Sequence, residues 1–138
     1  MRLTRTGFNV STETPMLTHL YEIVLRRAEA YPDGVALGAQ EGLGWRTLTS
    51  RQLLDLTDRL AAELAAQGVQ EGDRVVLWVP NHWRTAVYLF ALWRLGAIAV
   101  PFDREMNPEA GAAILDTIEP RCIVAGYGGG RRGCANGR

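Results

Sequence analysis

The stretch 68–103, GVQEGDRVVLWVPNHWRTAVYLFALWRLGAIAVPFD, leaves few folds open. Residues 74–79 read as a strand whose run from Val75 onward is continuously apolar rather than alternating, the pattern of a strand covered on both faces, as in a parallel sheet under helices. Pro80 stops that strand. A helix is predicted from His82 to Leu95, Gly96 supplies a left-handed ending, and residues 97–100 re-enter the sheet before Pro101. The helix is long enough to return the chain for a parallel partner, which makes this stretch a strand-helix-strand crossover.

The flanking segments lead into this unit or extend it. Thr18 is placed to cap a helix running to Ala30, with Leu20, Ile23, Val24 and Ala28 on its inner face, Arg26 and Glu29 outside, and His19 on the surface. Pro32, Asp33 and Gly34 force a turn. Residues 35–37 and 45–48 then read as two short strands joined by Glu41-Gly42-Leu43-Gly44, a hairpin. Thr49 with Gln52 has the form of a capping box and opens the most regular helix, 50–67. Leu53, Leu56, Leu60 and Leu64 form its apolar stripe, each worth roughly 1.5–3 kcal/mol if fully buried. Arg51, Asp55, Asp58, Arg59 and Glu63 keep the other face wet, with Asp55 and Arg59 spaced as a helix pair.

Beyond Pro101, Asn107-Pro108-Glu109 marks a further helix start, with Ala112, Leu115 and Ile118 expected inward and Glu119-Pro120 ending it. Residues 121–125 supply a third buried strand. The expected fold is therefore α/β: a partial doubly wound parallel sheet, βαβαβ, preceded by a helix, a short β-hairpin and a long amphipathic helix. Residues 1–16 read as a loose polar leader and 126–138, GYGGGRRGCANGR, as a disordered Gly/Arg tail with too little to bury against its ordering entropy. The abrupt loss of pattern after Ala125 is also what out-of-frame translation of a Gly- and Arg-rich coding region looks like.

Composition narrows the function classes. A formal net charge of zero gives no bulk electrostatic pull toward nucleic acid or anionic membrane. All fifteen basic residues are Arg, so no lysine ammonium is at hand for phosphate or carboxylate chemistry. Cys122 and Cys134 indicate neither a disulfide framework nor a metal site, and a reducing cytoplasm is the default location.

Asn81, His82 and Trp83 follow the carboxyl end of a predicted parallel strand, where open α/β sheets bind ligands. Their bland roles come first: Asn81 as a helix cap, Trp83 as packing, and His82 without the acidic or serine partner a catalytic histidine needs. Asp103 and Glu105 read as ordinary loop carboxylates, not an acid/base pair. Gly128-Gly129-Gly130 with Arg131 and Arg132 lacks the Lys-Ser/Thr ending of a phosphate loop and the repeated aromatics of an RNA-binding tail. No catalytic, cofactor-binding or metal residue is assigned.

In order and spacing, LAAELAAQGV, then Gly72-Asp73-Arg74-Val75, a strand, Pro80-Asn81, and a helix followed by Gly-Ala-Ile-Ala-Val-Pro at 96–101, the chain resembles the acyl-adenylate-forming (AMP-dependent) ligases, and fatty acyl-CoA synthetases most of all. The resemblance spans 17–125 and implies the amino-terminal part of such an enzyme. Full-length members join a carboxylate to the α-phosphate of ATP with magnesium, release pyrophosphate, and pass the acyl group to coenzyme A. The Ser/Thr/Gly-rich loop, adenine-binding aromatic segment, ribose-binding acid and catalytic lysine of that family are not in this chain. The resemblance thus implies an inactive fragment binding no cofactor by itself, with fatty acid as the guessed substrate of the whole; a split ligase chain or a non-catalytic α/β interaction module are the alternatives. Its partner would be the remainder of the ligase, in cis or trans. The helix at 82–95 is apolar nearly all round, and the isolated chain is expected to expose one side of it and self-associate. Its uncharged run 85–93 is too short for a membrane span.

Overall fold

The structure, a computed structural model, describes residues 18–103 and 105–126 and the backbone of 135–136. In chain order the elements are α1 (Tyr21–Ala30), β1 (Val35–Glu41), β2 (Gly44–Thr49), α2 (Ser50–Ala66), β3 (Arg74–Trp78), α3 (Trp83–Arg94), β4 (Ile98–Pro101), α4 (Pro108–Ile118), β5 (Cys122–Ala125) and β6 (Ala135–Asn136). β1 and β2 form a separate antiparallel hairpin, turning at Gly42 and Leu43. The other strands form one sheet in the order β4-β3-β5-β6, with β3 parallel to both neighbours. This is the expected βαβαβ unit.

Because β4 and β5 flank β3 on opposite sides, right-handed crossovers place α3 and α4 on opposite faces of the sheet. One face is fully closed. Val75 and Leu77 of β3, with Cys122 and Val124 of β5, pack against Ala61 and Leu64 of α2 and Ala91 and Leu92 of α3. A second cluster sits between the helices, where Tyr21 and Val24 of α1, Leu53 of α2 and Val87 of α3 bury one another, flanked by Trp83, Phe90 and Trp93. Pro101 is tolerated in β4 because that strand lies at the sheet edge, where a missing N–H breaks no ladder.

The caps of α2 and α4 follow the sequence, whereas α1 begins after Leu20 with no side-chain cap bond and Thr18 N donates to Glu22 instead. Thr49 and Gln52 make both bonds of the capping box, Asn107 accepts from Glu109 N at 2.8 Å, and Gly96 ends α3 at φ 69°. The faces differ in places. α1 turns Tyr21 and Val24 inward and leaves Leu20 and Ile23 exposed, because the Tyr21 hydroxyl reaches Asp58 and Arg94 on the neighbouring helices. Asp58 is therefore a partner of Tyr21 rather than part of a wet face, while Asp55 and Arg59 form no ion pair among the described residues. The deepest stripe of α2 is Ser50, Leu53, Thr57, Ala61 and Leu64, with Leu56 and Leu60 along its flank. In α4 it is Gly111, not Ala112, that is buried, with Leu115 and Ile118 half-buried: Gly111 lets the helix approach Phe102 and Met106, whose atoms lie 4.0 and 3.8 Å from where a Cβ would stand.

The expectation of a bare side on α3 is overturned. Within α3 only Arg84 and Arg94 are exposed, because α1 and α2 cover one side and the sheet the other. The uncovered apolar surface lies elsewhere, on the α4 side of the sheet and around the hairpin: Trp78 is 36%, Ile98 50% and Ile114 37% exposed, and Trp45 75%. Cys122 is buried and disulfide-bonded, against the sequence reading. Of the tail expected to be disordered, Gly126 donates to Trp78 O and Ala135–Asn136 pairs antiparallel with β5; the rest of it, and the leader, lie outside the described residues.

Candidate functional site

The carboxyl ends of β3 and β4 open into a cleft of about 660 Å³. Its floor is Leu77, Val79 and Phe102, and its sides carry Pro80, Asn81 and Thr85 opposite Asp103 and Glu105. Local chemistry makes this shape. Pro80 ends β3, and its carbonyl, denied a sheet partner, accepts from Thr85 Oγ1 at 3.1 Å, which ties the turn to the first turn of α3. Phe102 N donates to Leu77 O at 3.0 Å, so β4 stays in register with β3 up to the cleft, and the Phe102 ring packs tilted against Trp78 at 6.2 Å.

Asp103 Oδ1 accepts from Glu105 N at 2.9 Å. That is a turn-forming contact, consistent with the loop reading of both carboxylates. The helix cap is His82 rather than Asn81: His82 Nδ1 accepts from Arg84 N at 3.2 Å, and Asn81 is left exposed at the cleft. Helical geometry begins one residue later than the sequence suggested, because the Pro80–Thr85 contact takes the preceding residues into the turn. Trp83 packs, as expected, against the inter-helix cluster.

Trp83 also does something that its local sequence does not signal. Its indole N–H donates to Glu41 Oε1 at 2.6 Å, across from the hairpin. His82 Nε2 lies 3.6 Å from the same oxygen, Arg46 3.6 Å from Glu41 Oε2, and the guanidinium carbons of Arg46 and Arg84 stand 4.8 and 5.2 Å from the Trp83 ring centre. The hydrogen bond from Trp83, aided by Arg46, holds the Glu41 carboxyl below its usual range. The hairpin is thereby fastened to the start of α3, beside the cleft. Nothing in the spacing of Glu41 and Trp83 could have shown this, since the contact depends on how the hairpin docks.

By strand order, the topological switch lies between β3 and β5 rather than between β3 and β4. Gly126 N reaches Trp78 O at 3.4 Å there, at the mouth of that neighbouring crevice. The Gly128-Gly129-Gly130 and Arg131-Arg132 residues beyond it lie outside the described residues. Among the described residues no group of His, Cys, Asp or Glu is arranged to hold a metal ion, and no helix is long and apolar enough to cross a membrane.

A parallel βαβαβ layer with a cleft at its strand ends defines a class of ligand-binding α/β units. The family model for AMP-binding enzymes matches residues 24–136, and the chain belongs to that family. The match runs past Ala125, where the sequence pattern was read as stopping, and takes in the short β6 pairing. The chain is 36% identical over 91 residues to an indenyl-propanoyl:CoA ligase of Mycobacterium tuberculosis, covering 66% of this chain and 17% of that one. It is 36% identical over 110 residues to the propionate–CoA ligase of Escherichia coli strain K12, covering 78% and 18%. Among solved structures, IdnL1 superposes with a TM-score of 0.73 at 29% identity, covering 86% of this chain and 24% of that one. The chain thus spans less than a fifth of the length of these curated relatives.

Proposed function

We propose that this chain is the amino-terminal α/β unit of an adenylate-forming acyl-CoA ligase, a scaffold for that reaction rather than its catalyst. One observation carries the reading: a family match over residues 24–136 in a chain that spans only 17–18% of its named relatives. The reaction proposed for the whole is adenylation of a carboxylate by ATP with release of pyrophosphate, then thioester formation with coenzyme A. The named relatives act on different acids, so the substrate class carried over is the carboxylate they share. Phosphoryl-type chemistry rests on positioning and charge stabilisation, and the family uses a lysine and a phosphate loop for it; this chain contains no lysine.

The remainder of the ligase, in cis or trans, is the partner we propose for the sheet face bearing Trp78, Ile98 and Ile114. Pro101 makes the β4 edge a poor template for strand addition, which favours a helical layer on the face over a further strand beside β4. In a pyrophosphate–ATP exchange assay driven by a carboxylate, the purified chain should give the no-enzyme rate, and addition of a complementary ligase remainder should raise it. Exchange by the chain alone, with contaminating ligase excluded, would overturn the scaffold reading.

A further inference from the structure

We propose that a disulfide between Cys122 and Cys134 straps the short strand β6 along the edge of β5, and that a dithiol reductant opens it, so that this sheet edge is covered or bare according to redox state. This goes beyond the ligase reading and does not depend on it. Three features converge on the edge. Cys122, the first residue of β5, is fully buried and disulfide-bonded. Cys134 is the only other cysteine in the sequence and directly precedes β6. β6 in turn pairs with the stretch that holds Cys122, setting Asn136 opposite Cys122 and Ala135 opposite Ile123.

The bond is what holds β6. A pairing of two residues is far short of the usual strand length, and Ala135 and Asn136 bring almost no apolar surface to bury. Composition alone predicts disorder for this tail; a covalent link removes much of the entropy that the pairing would otherwise have to overcome. The core has no such need of it. Cys122 sits in a cluster with Ala61, Val75, Leu77 and Leu92, where its reduced thiol fills the space as a small apolar side chain. A disulfide that secures the tail and not the core is a switch rather than a staple, the use that reducing compartments make of such bonds.

Because Cys122 is shut off from solvent, the attacking thiolate of a dithiol takes the Cys134 sulfur: a mixed disulfide forms there, and the Cys122 sulfur leaves as a thiolate and picks up a proton. The second thiol of the reductant then displaces Cys134, which is protonated in turn, and closes the reductant's own disulfide. An oxidised dithiol reverses both steps. Once β6 is released, the outward N–H and C=O groups of β5 lose their partners, the state of an open sheet edge that another strand can pair with. The opposite edge has no such switch, since Pro101 blunts β4 in either redox state.

The test uses the full chain, purified with its free thiols blocked by N-ethylmaleimide. Trypsin, cutting after Arg121, Arg131 and Arg132, puts Cys122 and Cys134 on separate peptides, and mass spectrometry without reductant should find them joined. Amide exchange by NMR, with circular dichroism confirming the fold, should then show dithiothreitol raising the rates at Ala135 and Asn136 about tenfold or more while Val75 to Leu77 stay unchanged. C134S should show the raised rates without reductant and no further response to it. Alkylation of both cysteines in the unreduced chain, a bond between two copies instead of within one, or exchange at β6 that ignores dithiothreitol overturns the proposal. So does a loss of protection at Val75 to Leu77 on reduction, which would make the bond a core staple; should C134S fail to fold, the reductant response of the unaltered chain decides.

Discussion

Tyr21→Phe isolates one hydroxyl at the point where α1, α2 and α3 meet. The ring is 9% exposed, its hydroxyl donates to Asp58 Oδ1 at 2.6 Å, and Arg94 Nε donates to the hydroxyl at 3.1 Å. Phenylalanine keeps the ring packing and leaves Arg94 and Asp58 paired at 3.0 Å. A hydrogen bond to a charged partner contributes roughly 1.5–3 kcal/mol when desolvated. Here the Arg94 and Asp58 side chains are 39% and 40% exposed, and water can take over part of the bond. The expected loss for Tyr21→Phe is therefore about 1 kcal/mol. Tyr21→Ala adds removal of the ring and should cost about 3–5 kcal/mol.

Urea unfolding followed by tryptophan fluorescence measures both, since Trp83 and Trp93 border the same cluster. Alkaline pH gives an independent check. Burial, then the bond to Asp58, raises the Tyr21 pKa above its ordinary value of 10.0. Its contribution is therefore complete below pH 10; above that the unfolded chain releases the proton before the folded one does, and stability falls as pH rises through the folded value. Tyr21→Phe should flatten that part of the alkaline limb. If Tyr21→Phe costs as much as Tyr21→Ala, or leaves the alkaline limb unchanged, the hydroxyl is not what joins these helices.

Thr49→Ala removes one half of the capping box and should destabilise the chain by about 0.5–2 kcal/mol in the same urea assay, with Thr49→Ser close to wild type. Gly96→Ala forces a side chain to φ 69° and sets its Cβ 2.9 Å from Glu71 Cγ; Glu71 can swing aside, so about 1–2 kcal/mol of backbone strain is the expected cost. Acid should weaken the hairpin attachment: because the Glu41 pKa is lowered, its contribution is present above the ordinary carboxylate range and is lost as pH falls through the folded value, and Glu41→Gln should remove that dependence from hydrogen exchange of the β1 amides. Sedimentation of the isolated chain should show self-association that Ile98→Glu together with Ile114→Glu reduces; an unchanged profile would place the sticky surface elsewhere.

The order of elements was legible because it rests on local chemistry. Capping at Thr49 and Asn107, the left-handed glycine at Gly96 and the apolar run of β3 each act within a few residues, and the structure reproduces them. Facing was less legible, because it depends on partners far along the chain. Tyr21 turns inward for Asp58 and Arg94, and Glu41 finds Trp83 only once the hairpin has docked. The cleft was foreseen only as a position after β3; its opposite side comes from Phe102, Asp103 and Glu105, which the parallel register of β4 brings alongside.

The same distinction explains why the bare surface was expected on the wrong element. An all-round apolar helix signals two-sided burial, but the sequence of α3 does not say whether its partners are in this chain; α1, α2 and the sheet supply both sides. The continuous run of β3 carries an equivalent demand. Its Val75 and Leu77 face is met by α2 and α3, whereas the opposite face, bearing Val76, lies on the α4 side, where among the described residues Gly111, Leu115 and Ile118 turn inward and Ile114, Trp78 and Ile98 stay exposed. A strand pattern that asks for cover on both faces, where the described residues complete one of them, locates the proposed partner surface on the α4 side of the sheet.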